Sequence, residues 1–425
     1  MAIGDMETIE RKLHAKYGPL VRTAPNEVSC SNPTTISLIY RERNALPKAP
    51  WYKTFRPQGI SEHADLFTET NEERHTRYRK IVGPVYQMAN ILKNEASIDE
   101  CINLFIKRLH EFEARQQSID FGHWLEMFAY DIVGRVQYGQ TFGFLETGTD
   151  VGRWIESVTH ALPLLHVAAA GPSYLVTPVM IMAMLIPGMA KKFEAIGSIT
   201  EQAKQLTQER LKEESSNNKV QQHDVMSQLF AIMRTRGTQL GFTHREITLE
   251  SWTGIIAGAD STATNMRAVF YYLMKHPHTL SNAVSEVLHA DQSAKLSTPV
   301  QYAETMSHLP YTCACIKEAT RLFPSFAVRL RRVAPARGLE ICDGYHIPAG
   351  CWIGMNAAVV QRDKSVFGAD ADEFRPERWL ESVERSHAME KGMLVFGAGT
   401  RTCTGKNVSV HNLGMGADVY VCVVC

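Results

Sequence analysis

The stretch Phe396-Gly-Ala-Gly399-Thr-Arg401-Thr-Cys403-Thr-Gly405, close to the end of 425 residues, decides how the rest of the chain is read. Gly397 and Gly399 are free to adopt positive φ, so the backbone can turn tightly beneath a flat body. N–H groups of such a turn point at a sulfur and lower its basicity. The pattern reads as a haem-thiolate loop with Cys403 as axial ligand and iron as the metal. A thiolate pushes electron density onto haem iron and favours cleavage of a bound O–O bond. Gly405 lets the next helix start hard against the ring, and Arg401 is a candidate partner of a haem propionate. Three plainer readings compete. A dinucleotide loop would need its third glycine where Thr402 stands. A phosphate-binding loop would need Ser or Thr where Asn407 stands, and one residue fewer before Gly405-Lys406. A buried structural cysteine is the third.

Composition narrows the classes. An apolar share of 44% with 9% aromatics supplies a large core, in one big domain or in two or three average ones. Lys and Arg (45) balance Asp and Glu (45), so bulk electrostatics give no reason to expect nucleic-acid binding. The nine cysteines are scattered, an odd and sparse set that argues against a secreted disulfide scaffold and for a reducing compartment. Cys313-x-Cys315 has no matching His or Cys cluster, so zinc is not expected. The first twenty residues are charged and polar, without the apolar run of a signal peptide or spanning helix.

Taken in order, Leu20-Val-Arg22-Thr-Ala-Pro25-Asn-Glu-Val28 alternates apolar and polar around turn residues, which predicts a small sheet. Glu73-Arg-His75-Thr-Arg-Tyr-Arg79-Lys80 reads as a basic helix face. From Ala161 to Ala190 the chain is strongly apolar, yet Pro163, Pro172, Pro178 and Pro187 interrupt it, so a single spanning helix is not expected. Lys212-Glu-Glu-Ser-Ser-Asn-Asn-Lys219 reads as a polar loop. Thr243-His-Arg-Glu246 is a capping box that opens a helix running to about Lys275, where His276-Pro277 ends it. In its middle, Ala257-Gly258-Ala259-Asp260-Ser261-Thr262 places small residues beside an acid and an alcohol. These fit proton relay, or close helix packing with a polar exit. Glu318-Ala-Thr-Arg321 sets a carboxylate and a guanidinium on one helix face, ahead of Leu322-Phe-Pro324.

These motifs, in this order, resemble the cytochrome P450 monooxygenases over nearly the whole chain, from about Leu13 to about Gly414. The Cys403 loop fills every fixed position of the family's Phe-x-x-Gly-x-Arg-x-Cys-x-Gly. Details are similar to fungal secondary-metabolism branches such as the pisatin demethylase-like enzymes. The resemblance implies a mainly α fold with a small β portion, one domain over residues 1–425, and haem b held through Cys403. It implies that Arg79, Arg332 and Arg401 bind propionates, with His75 where Trp is usual, and that Phe396 packs in the cofactor loop. Asp260 and Ser261 match the oxygen-activation motif, with Ser261 where Thr is usual, so a methyl that stiffens the rotamer is lost. Glu318, Arg321 and Arg378 match a structural triad. The implied partners are NADPH-cytochrome P450 reductase and an apolar small-molecule substrate, hydroxylated or demethylated with O2. The implied location is the cytosolic face of the endoplasmic reticulum, with residues 161–190 as a peripheral membrane contact.

Both ends depart from the family pattern. The chain starts where a membrane anchor would already have ended, which suggests an anchor-less form, peripheral or cytosolic. After Leu413-Gly414, the family continues into a hairpin at the substrate pocket. Here Met415-Gly-Ala-Asp418 and the uncharged Val419-Tyr-Val-Cys-Val-Val-Cys425 follow instead. Gly414 and Gly416 disfavour helix, and the tail has strand-aggregating composition. The expectation from this tail is weak haem retention and little activity, the alternative to a working monooxygenase.

Overall fold

One helix, His244–Lys275, runs through the centre of the packing, and local sequence sets both its ends. Thr243 donates to the Glu246 carboxylate from its N–H (2.8 Å) and its hydroxyl (2.6 Å), and the Thr243 Oγ1 accepts from the Arg245 N–H. The cap occupies donors that would otherwise be orphaned at the first turn. At the other end the residue before Pro277 leaves the helical region, and a new helix starts with that proline.

The computed structural model describes residues 5–171, 173–215, 223–341 and 344–414. In chain order the longer helices are α1 (Met6–Tyr17), α2 (Glu72–Val82), α3 (Glu95–Ala114), α4 (Phe121–Tyr138), α5 (Trp154–Ala170), α6 (Ser173–Met184) and α7 (Met189–Ser215). They continue with α8 (Val225–Leu240), α9 (His244–Lys275), α10 (Pro277–Gln292), α11 (Pro310–Leu322), α12 (Val383–Lys391) and α13 (Lys406–Gly414). The strands are β1 (Leu20–Ala24), β2 (Glu27–Cys30), β3 (Arg332–Val333), β4 (Leu339–Glu340), β5 (His346–Ile347) and β6 (Trp352–Gly354). One sheet has the order β1-β2-β6-β3, with β2 and β6 parallel and the other pairs antiparallel; β4 and β5 form a second, antiparallel pair. The chain is therefore mainly helical with a small β portion, as the sequence leads one to expect.

The main core lies between α3, α4, α9 and α11, and a smaller one lies under the first sheet. Helices α4 and α9 run antiparallel at close range. The Tyr138 hydroxyl donates to Ser251 O (2.9 Å) at one end of the seam, and Arg267 Nε donates to Gly122 O (2.8 Å) at the other. Gly258 is the reason they approach so closely, since a Cβ there would lie 3.1 Å from Val133 Cγ2. The small residues of α9 thus serve packing on one side of the helix.

The apolar stretch 161–190 differs from its reading in one respect. Pro163 and Pro178 lie inside α5 and α6, and the helices break instead at Gly171 and around Pro187-Gly188. A proline removes one intrahelical bond and bends the helix, which these two helices accommodate. Tyr174, Ile181, Met182 and Leu185 are exposed on this segment. Among the described residues no helix is long and apolar enough to cross a membrane. The polar stretch read as a loop at 212–219 starts as helix: residues 212–215 are the last turn of α7, while 216–219 and the whole tail from Met415 lie outside the described residues.

Beneath the site, Glu318 is fully buried and binds five donors. Its carboxylate accepts from Arg321 Nε and Nη2 and Arg378 Nε (each 2.8 Å), Trp379 Nε1 (2.9 Å) and Arg375 N (3.0 Å). Both guanidiniums are also fully buried; their remaining donors go to backbone carbonyls and, from Arg378 Nη1, to the Asp370 carboxylate (3.0 Å). Arg321 reaches Gln361 O and Ala371 O, and Arg378 reaches Phe367 O and Asp370 O. Gln361 carries the constraint onward: its amide N–H donates to Arg321 O (2.8 Å) and its oxygen accepts from Leu394 N (2.7 Å). Leu394 in turn accepts from Gly397 N (2.8 Å), the first glycine of the cysteine loop. Removing one member strands opposite charge where no water reaches. Glu318→Ala should destabilise the fold by about 3–5 kcal/mol, read as a fall in the urea midpoint; an unchanged midpoint would show that the cluster contributes little.

Candidate functional site

The cysteine loop is built by two left-handed glycines. Gly397 and Gly399 have φ of +66° and +65°, and a Cβ at Gly399 would lie 2.4 Å from the carbonyl oxygen of Tyr40. The turn closes with Cys403 N donating to Phe396 O at 2.8 Å, and α13 begins three residues after the cysteine. Cys403 keeps open surface although it lies deep among protein atoms. Burial pushes the thiol pKa up; the N–H groups of Gly405 and Lys406, and the charge of Arg79, oppose that rise.

Around this loop the fold gathers cations. Arg79, on α2, donates to Thr402 O (2.7 Å), beside the cysteine. Arg401 is buried, pairs with Glu72 (2.5 Å) and donates to Glu69 O (2.8 Å). Arg332 is buried in β3 and donates to the Tyr52 hydroxyl (3.3 Å). Lys48, which the sequence reading passed over, is buried too: its Nζ donates to Phe67 O (2.7 Å) and lies over the rings of Tyr52 and Phe67. His75 is buried, and its Nδ1 has no partner among the described residues.

These groups work against one another. The pKa of His75 is driven down to about 2, first by burial and then by the charges of Arg401, Lys48, Arg79 and Arg332. Lys48 is held well below its ordinary value, by burial first and then by Arg332 and Arg401. Asp65 and Glu72 offset only part of this charge. Such an arrangement is costly unless an anion joins it. A flat macrocycle with a sulfur on one face and carboxylates at its edge meets that demand, so the residues fit haem.

The other expected residues sit on α9. Ala257 is exposed although it lies mid-way along a central helix, and Ser261 Oγ donates to Ala257 O at 2.6 Å. Asp260 turns toward α4. Burial raises its pKa while Arg267 opposes, and its charge is felt by Tyr130 and Glu126 on α4. Among the described residues no hydrogen bond joins Asp260 to Ser261. The structure thus brings Cys403, Phe396, Arg79, Arg332 and Arg401 to one place, sets Asp260 and Ser261 on different faces of α9, and keeps Glu318, Arg321 and Arg378 in a separate buried cluster. Lys48, Tyr52 and Gln361 escaped the sequence reading. Lys48 had one signal, a lone charge in the apolar, proline-flanked run Leu46-Pro-Lys-Ala-Pro50.

The family model for cytochrome P450 matches residues 4–416. Among curated proteins, the chain is 36% identical to cytochrome P450 monooxygenase gsfF of Penicillium aethiopicum, over 96% of this chain and 81% of that one. It is 43% identical to cytochrome P450 monooxygenase ACRTS1 of Alternaria alternata, over 78% and 87% respectively. It is 34% identical to cytochrome P450 monooxygenase cicH of Emericella nidulans, over 96% and 80%. The chain belongs to the cytochrome P450 family, and family membership implies haem b on a cysteine ligand.

The cation cluster makes a prediction with opposite signs in two states. Lys48→Met should raise the urea midpoint of the haem-free protein, because a buried charge among like charges is removed, and should speed haem loss to apomyoglobin. A haem-free protein that loses stability on this change would show that Lys48 is already satisfied by Phe67 O and the two rings.

Proposed function

We propose that this member of the cytochrome P450 family is a haem-thiolate monooxygenase of fungal secondary metabolism, of the pisatin demethylase-like type. It would hydroxylate or oxidatively demethylate an apolar small molecule, with O2 as oxidant and NADPH-cytochrome P450 reductase as electron donor. The observation that supports this best is the Cys403 thiol, partly open, cradled by the N–H groups of Gly405 and Lys406 and flanked by a buried excess of positive charge. Bound haem supplies the redox chemistry of oxygen activation.

In this proposal Cys403 would ligate the haem iron, and Arg79, Arg332 and Arg401 would neutralise the propionates, with Arg401 sharing its charge with Glu72. Phe396 fixes the turn through its carbonyl, which accepts from Cys403 N. Ser261 spends its hydrogen on Ala257 O, which leaves its lone pairs to accept from a hydrogen-bond donor. Asp260, whose burial favours the protonated form, resupplies protons from the α4 side. The exposed apolar side chains of residues 174–186 would rest on the cytosolic surface of the endoplasmic reticulum membrane.

Two experiments test this. The reduced, CO-bound protein should show the red-shifted Soret band of a thiolate ligand, and Cys403→Ala should abolish it; an intact band in the variant would assign the ligand elsewhere. Ser261→Ala should divert NADPH into peroxide, lowering product formed per NADPH several-fold while leaving haem content unchanged. Unaltered coupling would remove Ser261 from proton delivery. Turnover that needs no NADPH would point to isomerase or peroxygenase chemistry on the same haem.

A further inference from the structure

A second group of side chains starts at the cation cluster and leads away from it. Tyr52, which accepts from Arg332, packs edge-on against Phe67 (5.2 Å between ring centres), and Phe67 packs against Phe326 (5.8 Å). Phe326 borders His166 on α5 (6.4 Å), and the same imidazole touches Phe55 (4.9 Å) and Trp51 (5.7 Å). The aromatic wall therefore runs without a break from the cations to α5. Phe55, Phe67, Phe326 and His166 each remain only partly buried.

Within this wall His166 contributes an imidazole. Its Nδ1 lies 2.8 Å from Leu162 O, an atom that only accepts, so Nδ1 carries the hydrogen. Burial, together with the charge of Arg331, disfavours the imidazolium. Nε2 is then a bare lone pair, and it is buried without a partner among the described residues. Buried polar atoms are nearly always satisfied, and an exception asks for an occupant. Here the occupant must bring a donor and an apolar, flat body, because aromatic rings surround the nitrogen.

We infer that the substrate is an aromatic compound carrying a hydroxyl, whose O–H donates to His166 Nε2 while its ring stacks among Trp51, Phe55 and Phe326. This rests on the monooxygenase reading and adds to it the class of molecule and the atom that selects it. The contact requires a shift of Phe55 or Phe326 as the molecule enters, since Nε2 has no open surface of its own. A site built to accept a hydrogen bond rejects the analogue that lacks the donor more strongly than an apolar pocket rejects a changed methylene.

Three probes that share one ring system separate the terms: 2-naphthol, which donates; 2-methoxynaphthalene, which only accepts; and naphthalene. Their dissociation constants are measured by equilibrium dialysis against the haem-loaded wild type, His166→Phe and His166→Gln. Wild type should prefer 2-naphthol to 2-methoxynaphthalene by about tenfold or more. His166→Phe should lose that preference while still binding naphthalene, and His166→Gln, which keeps an acceptor, should recover part of it. Equal binding of the two oxygen-bearing probes by wild type, or the same preference in His166→Phe, overturns the assignment. So does failure of wild type to bind any of the three. The CO-bound Soret band, recorded on the same samples, reports the haem-thiolate reading separately, so that either conclusion can fail while the other stands.

Discussion

The Glu318 carboxylate is the constraint from which the site hangs. Five donors converge on it where no water reaches, and neither arginine can leave without stranding charge. A buried ion cluster of this kind is weak evidence for net stability, because desolvation offsets much of the attraction. Its effect is geometric. The arginines hold the carbonyls of Gln361, Phe367, Asp370 and Ala371, and Gln361 holds Leu394, two residues before Phe396. The position of the cysteine loop is thereby tied to a helix distant in sequence.

Above that scaffold the chain carries an electrostatic conflict. Lys48, Arg79, Arg332 and Arg401 surround an imidazole that they keep neutral, with too little carboxylate to balance them. Stability and function diverge at such a place: groups that repel one another in the free protein become an anion-binding rim when the anion arrives. Next to the rim the chemistry changes abruptly to aromatic rings around the His166 Nε2, which has no partner among the described residues. One region is thus suited to carboxylates and the neighbouring one to a flat apolar body.

What the sequence by itself determined is the local chemistry. The capping box at Thr243, the stop at His276-Pro277, the left-handed glycines and the cysteine between them follow from backbone preferences that act within a few residues. The order of these motifs was enough to place the chain in its family and to expect a mainly helical fold. Tertiary structure decided which distant groups share a space. Gln361 is an ordinary polar residue after Ala357-Ala-Val-Val360 until the fold sets it between Arg321 and Leu394. Lys48 is a stray charge until β3 and the cysteine loop surround it. Asp260 and Ser261 are neighbours in sequence, yet successive helical positions point about 100° apart, so one faces α4 and the other bonds back to Ala257. Pro163 and Pro178 read as breaks and proved to be parts of helices, because packing outweighs the loss of single hydrogen bonds. Charge–charge and ring–ring contacts depend on distance through space, and no local pattern encodes it.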